Sequence, residues 1–161
     1  MIHELRLYLD TSVLAACYHR ERFSDEANGI LALARRPAIS PLVELEMASS
    51  LARKQRSGEL STAAAYDIED LFRMHLDQGV FTRLSLTREH FQIARQSMWA
   101  SRLPLTTLDA LHAAVAALDG RALTTADRRL AAAAEDLGVK VLTVGFQDTF
   151  EVHEEPAVYG A

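Results

Sequence analysis

The stretch Leu5-Arg6-Leu7-Tyr8-Leu9-Asp10-Thr11-Ser12-Val13-Leu14 runs an apolar segment directly into an acid. Leu5, Leu7 and Leu9 alternate with Arg6 and Tyr8, a period of two that predicts a short strand. Asp10 falls at its carboxyl end. In open α/β sheets that edge is where ligands bind, so Asp10 reads either as a helix cap or as part of a site. The rest of the chain decides between them.

After Asp10, Thr11 or Ser12 caps a helix through about Tyr18, and Ser24-Asp25-Glu26 opens a second one to Arg36, ended by Pro37. Ala38-Ile39-Ser40 is a short strand candidate. Pro41 then starts a helix stopped by Gly58, and Ser61 caps another that stops near Gly79. Val80 to Leu86 is the third strand candidate, followed by a helix capped by Thr87. Pro104 breaks that segment before the helical TTLDALHAAVAALDG, closed by Gly120. The strand ALTT, the helix ADRRLAAAAEDLG and the strand VKVLTV complete the series. Strands separated by helices predict an α/β fold with a parallel sheet covered on both faces. Residues 1–146 form one domain in this reading, and the acidic tail 147–161 is peripheral or disordered.

Bulk properties narrow the function. A chain of 161 residues, 49% hydrophobic, is long enough for one core without staples. Cys17 is the sole cysteine, which excludes an intrachain disulfide or a cysteine-based metal cluster and fits a reducing cytoplasm. The amino terminus lacks a signal-peptide pattern, and no run reaches transmembrane length, so no membrane association is expected. A formal charge of −5 gives no general basic footprint. Any nucleic-acid contact must come from a local patch.

Four acids stand near element boundaries that a parallel sheet brings to one edge: Asp10, Glu46, Asp109 and Asp127. Like charges in a partly dry site push one another toward protonation unless a cation compensates. A hard divalent ion such as Mg²⁺ does so through a few carboxylate oxygens while keeping waters for substrate phosphates. Each acid also has an ordinary reading. Thr106 and Asp109 fit a capping-box variant, Asp127 fits a helix cap, and Glu46 fits a solvated helix face. Glu44 competes with Glu46. Leu45, Ala48, Leu51 and Ala52 mark the expected core stripe, which both glutamates flank, so periodicity leaves that choice open.

In order and spacing, YLDTSVL, ISPLVELEMASSLARK, LPLTTLDALHAAVA and LTTADRRLAAAAEDLGVKVL resemble the PIN-domain family, in particular VapC-type toxins of toxin–antitoxin pairs. The resemblance spans about Leu7 to Val144. It implies a three-layer α/β/α fold with a short parallel sheet of about five strands, and metal-dependent hydrolysis of RNA phosphodiester bonds with Mg²⁺, or Mn²⁺ as a substitute. Residue by residue, it implies that Asp10, Glu46, Asp109 and Asp127 form the catalytic metal cluster, and it favours Glu46 over Glu44. It implies that Ser12 and Thr125 orient a carboxylate or a metal-bound water. A VapB-like antitoxin and a homodimer are the partners it implies.

Arg128 and Arg129 directly follow Asp127, where they either meet RNA phosphates or pair with surface acids. His112, one turn after Asp109, reads as a packed or hydrogen-bonded structural histidine. Cys17 reads as a small core residue. Ile68, Leu71, Phe72 and Leu76 keep helical spacing beside Tyr66, for core packing with some surface left to a partner. A haloacid-dehalogenase phosphatase would need a second Asp at position 12, where Ser stands, and a receiver domain would need an early acidic pair and a late lysine. A PIN-type RNA-processing nuclease without an antitoxin, or a catalytically silent PIN-like binding module, are the alternative functions.

Overall fold

A computed structural model describes residues 5–146. The expected tail lies outside the described residues. In chain order the elements are β1 (Leu7–Leu9), α1 (Thr11–Tyr18), α2 (Ser24–Leu33), β2 (Ala38–Ile39), α3 (Pro41–Arg56), α4 (Thr62–Asp77), β3 (Thr82–Arg83), α5 (Arg88–Ala100), α6 (Thr107–Leu118), β4 (Ala122–Thr125), α7 (Arg128–Asp136) and β5 (Val141–Thr143). The strands form one parallel sheet in the order β3-β2-β1-β4-β5. This is the expected α/β architecture.

β1 is central, and Leu7, Tyr8 and Leu9 are all buried. Its alternation is therefore not between core and solvent. Helices cover both faces, as parallel connections require, so the strand carries a continuous buried run. Leu5 and Arg6, at the end of the expected alternation, are exposed.

Two expected elements are shorter than their sequence patterns. The segment 80–86 contributes only Thr82 and Arg83 to the sheet, because its partner β2 offers just two residues between Pro37 and the Ser40 cap of α3. Thr82 N–H donates to Pro37 O at 2.9 Å and Leu84 N–H to Ile39 O at 2.8 Å. A brief edge strand also limits pairing with other chains. α2 ends at Leu33 rather than Arg36, since Pro37 disfavours helix in the residue before it, and Arg36 turns the chain at φ 53°.

The α3 stripe differs from the expected one. Leu42, Val43, Met47 and Leu51 are its buried residues, whereas Leu45 is 69% exposed and Ala48 is also exposed. At about 100° per residue, Glu46 falls inside the arc from Leu42 to Leu51 and Glu44 falls at its margin. On α4, Phe72 is buried between the rings of Tyr18 and Phe81, with centroids 5.5 and 6.1 Å away. Leu71 and Tyr66 face outward. Cys17 is half-buried against the main core. Among the described residues, no helix is long and apolar enough to cross a membrane.

Candidate active site

The strand order reverses between β1 and β4, which is where an open α/β sheet leaves a crevice beyond its carboxyl ends. Asp10 follows β1 at this point, and its N–H donates to Thr124 O of β4 at 3.1 Å. Its carboxylate is only 5% exposed. Oδ1 accepts from Ser12 Oγ at 2.6 Å and, as the cap of α1, from Val13 N–H at 3.3 Å. Oδ2 accepts from Thr125 Oγ1 at 2.7 Å. The two hydroxyls also receive bonds from the facing turn: Ala126 N–H donates to Ser12 Oγ at 2.9 Å and Asp127 N–H to Thr125 Oγ1 at 2.9 Å. Ser12 and Thr125 thus lock the turn after β4 to the turn after β1.

Burial pushes the Asp10 carboxyl above its ordinary range, against the opposing pull of the Ser12 bond, the nearby His112, the Thr125 bond and the Val13 N–H. All of its hydrogen-bond donors are neutral. A buried carboxylate held in this way has no charged group bonded to it.

Glu46 reaches the same region from α3. Its Oε2 accepts from Thr11 Oγ1 at 2.6 Å and from His112 Nε2 at 2.8 Å. Partial burial opposes ionisation, but the His112 hydrogen bond and charge and the Thr11 bond outweigh it and bring this carboxyl below its usual range. Glu44 instead takes a two-pronged bond from Arg83, with both contacts at 2.9 Å. The two glutamates are therefore separated by their partners.

Asp109 lies half-buried in the first turn of α6, where its N–H donates to the Thr106 cap at 3.2 Å. Asp127 is exposed and caps α7, its Oδ1 accepting from Arg129 N–H at 2.8 Å and Leu130 N–H at 3.2 Å. The capping roles read from sequence are present. They do not exhaust these side chains, since the Asp109 carboxylate and Asp127 Oδ2 take no hydrogen bond from the described residues.

Asp10, Ser12, Thr125 and Asp127 are joined by these bonds, and Thr11 and His112 link Glu46 to α1 and to the helix carrying Asp109. No three of the four acids bring ligand atoms within 4.8 Å of one another. Among the described residues the group that does so is His19, Glu21 and Glu59, and Lys54 bonds both of its carboxylates. The four-acid set still fits a hard divalent ion. It offers only carboxylate oxygens and includes a buried anion without a cationic bond, a donor chemistry suited to Mg²⁺, which binds through one or two carboxylates and keeps several waters.

A cleft of about 500 Å³ opens from Thr11, Ser12 and Glu46 toward Ser50, Arg53 and Leu108. Of the two arginines after Asp127, Arg129 is exposed and Arg128 stacks over the Phe146 ring at 4.7 Å.

Sequence reasoning missed Thr11, Tyr8 and Ser40. His112, expected to be structural, is 3% exposed and bonds through both ring nitrogens: Nε2 to Glu46, and Nδ1 to Tyr8 OH at 3.0 Å. Tyr8 OH also meets Ser40 Oγ at 2.8 Å. A tyrosine within an otherwise aliphatic central strand, two residues before the acid, was the available signal.

Comparisons with solved structures give the same architecture. Over 79% of this chain and 94% of the other, it superposes on the Mycobacterium tuberculosis toxin VapC20, described as cleaving the sarcin–ricin loop, with TM-score 0.63 and 20% identity. VapBC2 from Rickettsia felis, bound to a DNA fragment from its promoter, gives TM-score 0.64 at 13% identity, covering 86% of this chain and 98% of that one. A toxin–antitoxin complex from Klebsiella pneumoniae gives 0.57 at 20% identity, covering 78% and 90%. No curated protein matches the chain. The sequence profile of the PIN domain matches residues 7–136, most of the described fold and all four acids, and the chain belongs to the PIN-domain family.

Proposed function

We propose that this protein is a divalent-metal-dependent endoribonuclease and the toxin of a VapBC-type toxin–antitoxin pair. The observation that carries the nuclease reading is Asp10: a buried carboxylate at the switch point of the sheet, bonded only by neutral donors, with three further acids on adjoining elements. Such a group calls for a cation, and PIN-family membership makes phosphodiester hydrolysis the chemistry that uses one.

Asp10, Glu46, Asp109 and Asp127 are the residues that would hold Mg²⁺ or Mn²⁺. When bound, the ion supplies a lowered pKa for coordinated water and neutralises charge on the phosphoryl oxygens. The protein's share is positional. Ser12 and Thr125 fix the two oxygens of Asp10, and Thr11 and His112 fix Oε2 of Glu46, so the carboxylates are set before RNA arrives. The cleft beside Glu46 has the room for a strand, with Arg53 at its wall to meet a phosphate. Arg129, exposed at the start of α7, is a second phosphate contact, and Arg128 flanks it.

The toxin assignment is supported by the fold shared with toxin–antitoxin proteins. It implies a VapB-like antitoxin and a homodimer as the assembled form.

The deciding experiment is cleavage of a mixed structured RNA by the purified chain with Mg²⁺ or Mn²⁺, with chelator, and with Asp109→Asn. Metal-dependent cutting that the substitution abolishes supports the proposal. A folded, antitoxin-free chain that neither cuts nor binds metal overturns it in favour of a silent binding module. Growth arrest on induction, relieved by a co-expressed small DNA-binding protein encoded beside it, separates a toxin from an RNA-processing nuclease.

A further inference from the structure

Behind Glu46 a polar chain runs back into the core. Ser40 and Tyr8 are fully buried and His112 is 3% exposed, yet they bond in series at 2.8 and 3.0 Å before His112 meets Glu46 at 2.8 Å. Placing three polar side chains between a sheet and its helices is unfavourable unless each is satisfied, and apolar residues of similar volume would fill the space without that demand. At Glu46 the chain also has a direction. Ionised Glu46 only accepts, so the His112 Nε2–H donates to it, and Nδ1 on the other side of the ring bonds the Tyr8 phenol, whose oxygen also meets Ser40 Oγ. Burial keeps the phenol protonated by raising its pKa.

The series ends on a residue that needs holding. Glu46 stands in mid-α3 on a flexible stem, and unrestrained it would sample several rotamers. Both of its bonds fall on Oε2, one from Thr11 and one from His112, and no described residue bonds Oε1. We propose that Tyr8 and His112 are positioning residues that, with Ser40 behind them and Thr11 opposite, pin Glu46 Oε2 and so present Oε1 to the divalent ion. This rests on the nuclease reading above and adds residues outside the four acids to it.

The test measures Mn²⁺ affinity of the full chain by calorimetry, alongside kcat and KM for RNA. His112→Leu is expected to weaken Mn²⁺ binding about 10- to 100-fold, the usual effect of losing a partner behind a metal ligand. His112→Gln, whose amide nitrogen can reach the Nε2 position, recovers most of that loss, which a purely space-filling role does not predict. Tyr8→Phe keeps the ring and removes only the hydroxyl; about a tenfold loss is expected, at the lower end of that range. A folded His112→Leu that binds Mn²⁺ like the wild type, or a Gln variant no better than Leu, overturns the proposal. Should His112→Leu fail to fold, Tyr8→Phe decides, and wild-type affinity in that variant overturns it. The two readings fail separately. Mn²⁺ binding that Asp10→Asn abolishes, without RNA cleavage, sinks the nuclease reading and leaves positioning to be judged on affinity. Metal-dependent cleavage unaffected in His112→Leu sinks positioning alone. No Mn²⁺ binding by the wild type sinks both.

Discussion

Asp10 does structural and chemical work with the same two oxygens: it caps α1 and ties α1 to β4, yet its charge is poorly supported in the metal-free chain. Its folded-state pKa is raised, so its ionisation opposes folding. That penalty is absent below the ordinary carboxyl pKa, grows as pH rises toward the raised folded value, and persists above it. Metal-free Asp10→Asn should therefore melt higher than the wild type at neutral pH, with the difference vanishing in acid, while losing Mn²⁺ binding. Paired thermal melts across pH with chelator check this; a variant less stable at every pH contradicts it. Glu46 has the opposite sign. Its lowered pKa contributes stability above the unfolded carboxyl value that is lost as pH falls through the folded one. Glu46→Gln should cut RNA cleavage at least about tenfold. Glu44→Gln, which disturbs only the exposed pair with Arg83, should cost 0 to about 1 kcal/mol of stability and leave cleavage intact.

α1, α6 and α7 carry their acids at the N-cap or in the first turn, and this is why caps and candidate ligands coincide there. Thr106 caps α6 one turn from Asp109, and Asp127 itself caps α7. Thr106→Ala should lower stability by about 1 kcal/mol, read by denaturant unfolding, and should also loosen the turn that aims Asp109. At Asp127 the two roles can be separated. Asn is as good a cap as Asp, so Asp127→Asn should preserve stability and lose metal-dependent activity, whereas Asp127→Ala should also lose about 1 kcal/mol. Equal stability loss in both variants would show that the charge, rather than the cap, is what α7 uses. Element boundaries were legible where such chemistry marks them: Ser61, Thr87, Thr106 and Asp127 stand at the expected N-caps, whereas α1 is capped by Asp10 rather than by Thr11 or Ser12, because the Asp10 carboxylate accepts from Val13 N–H. The α3 face was not. Leu45 and Ala48 are apolar but point outward, so composition gave a stripe rotated away from Leu42, Val43 and Met47, and the choice of Glu46 had to rest on family resemblance.

For the whole molecule, five parallel strands between helices could be read from alternation and turn residues, but the order that places β1 beside β4 could not. It depends on long-range pairing, such as Leu9 with Thr124, that no local pattern encodes. The polar series from Ser40 to Glu46 was hidden for the same reason, since its members are separated by 32 and 104 residues at successive steps before returning to α3. That central placement has a thermodynamic consequence. The acids extend from β1, α3, α6 and the turn after β4, so unfolding of the core disperses them, and an ion that binds the folded chain alone must stabilise the whole domain. At an Mn²⁺ concentration about 100 times its Kd the linkage amounts to about 2.7 kcal/mol. For a chain of this size each kcal/mol moves Tm by about 2–4 °C, so a rise of about 5–10 °C is expected over a chelated sample. Asp109→Asn should flatten that response without altering the chelated melt by more than about 0.5 kcal/mol, because its carboxylate takes no hydrogen bond from the described residues. A wild-type melt indifferent to Mn²⁺ would deny the acids their ion, whereas an equal rise in Asp109→Asn would move the binding to another group, with His19, Glu21 and Glu59 the first place to look.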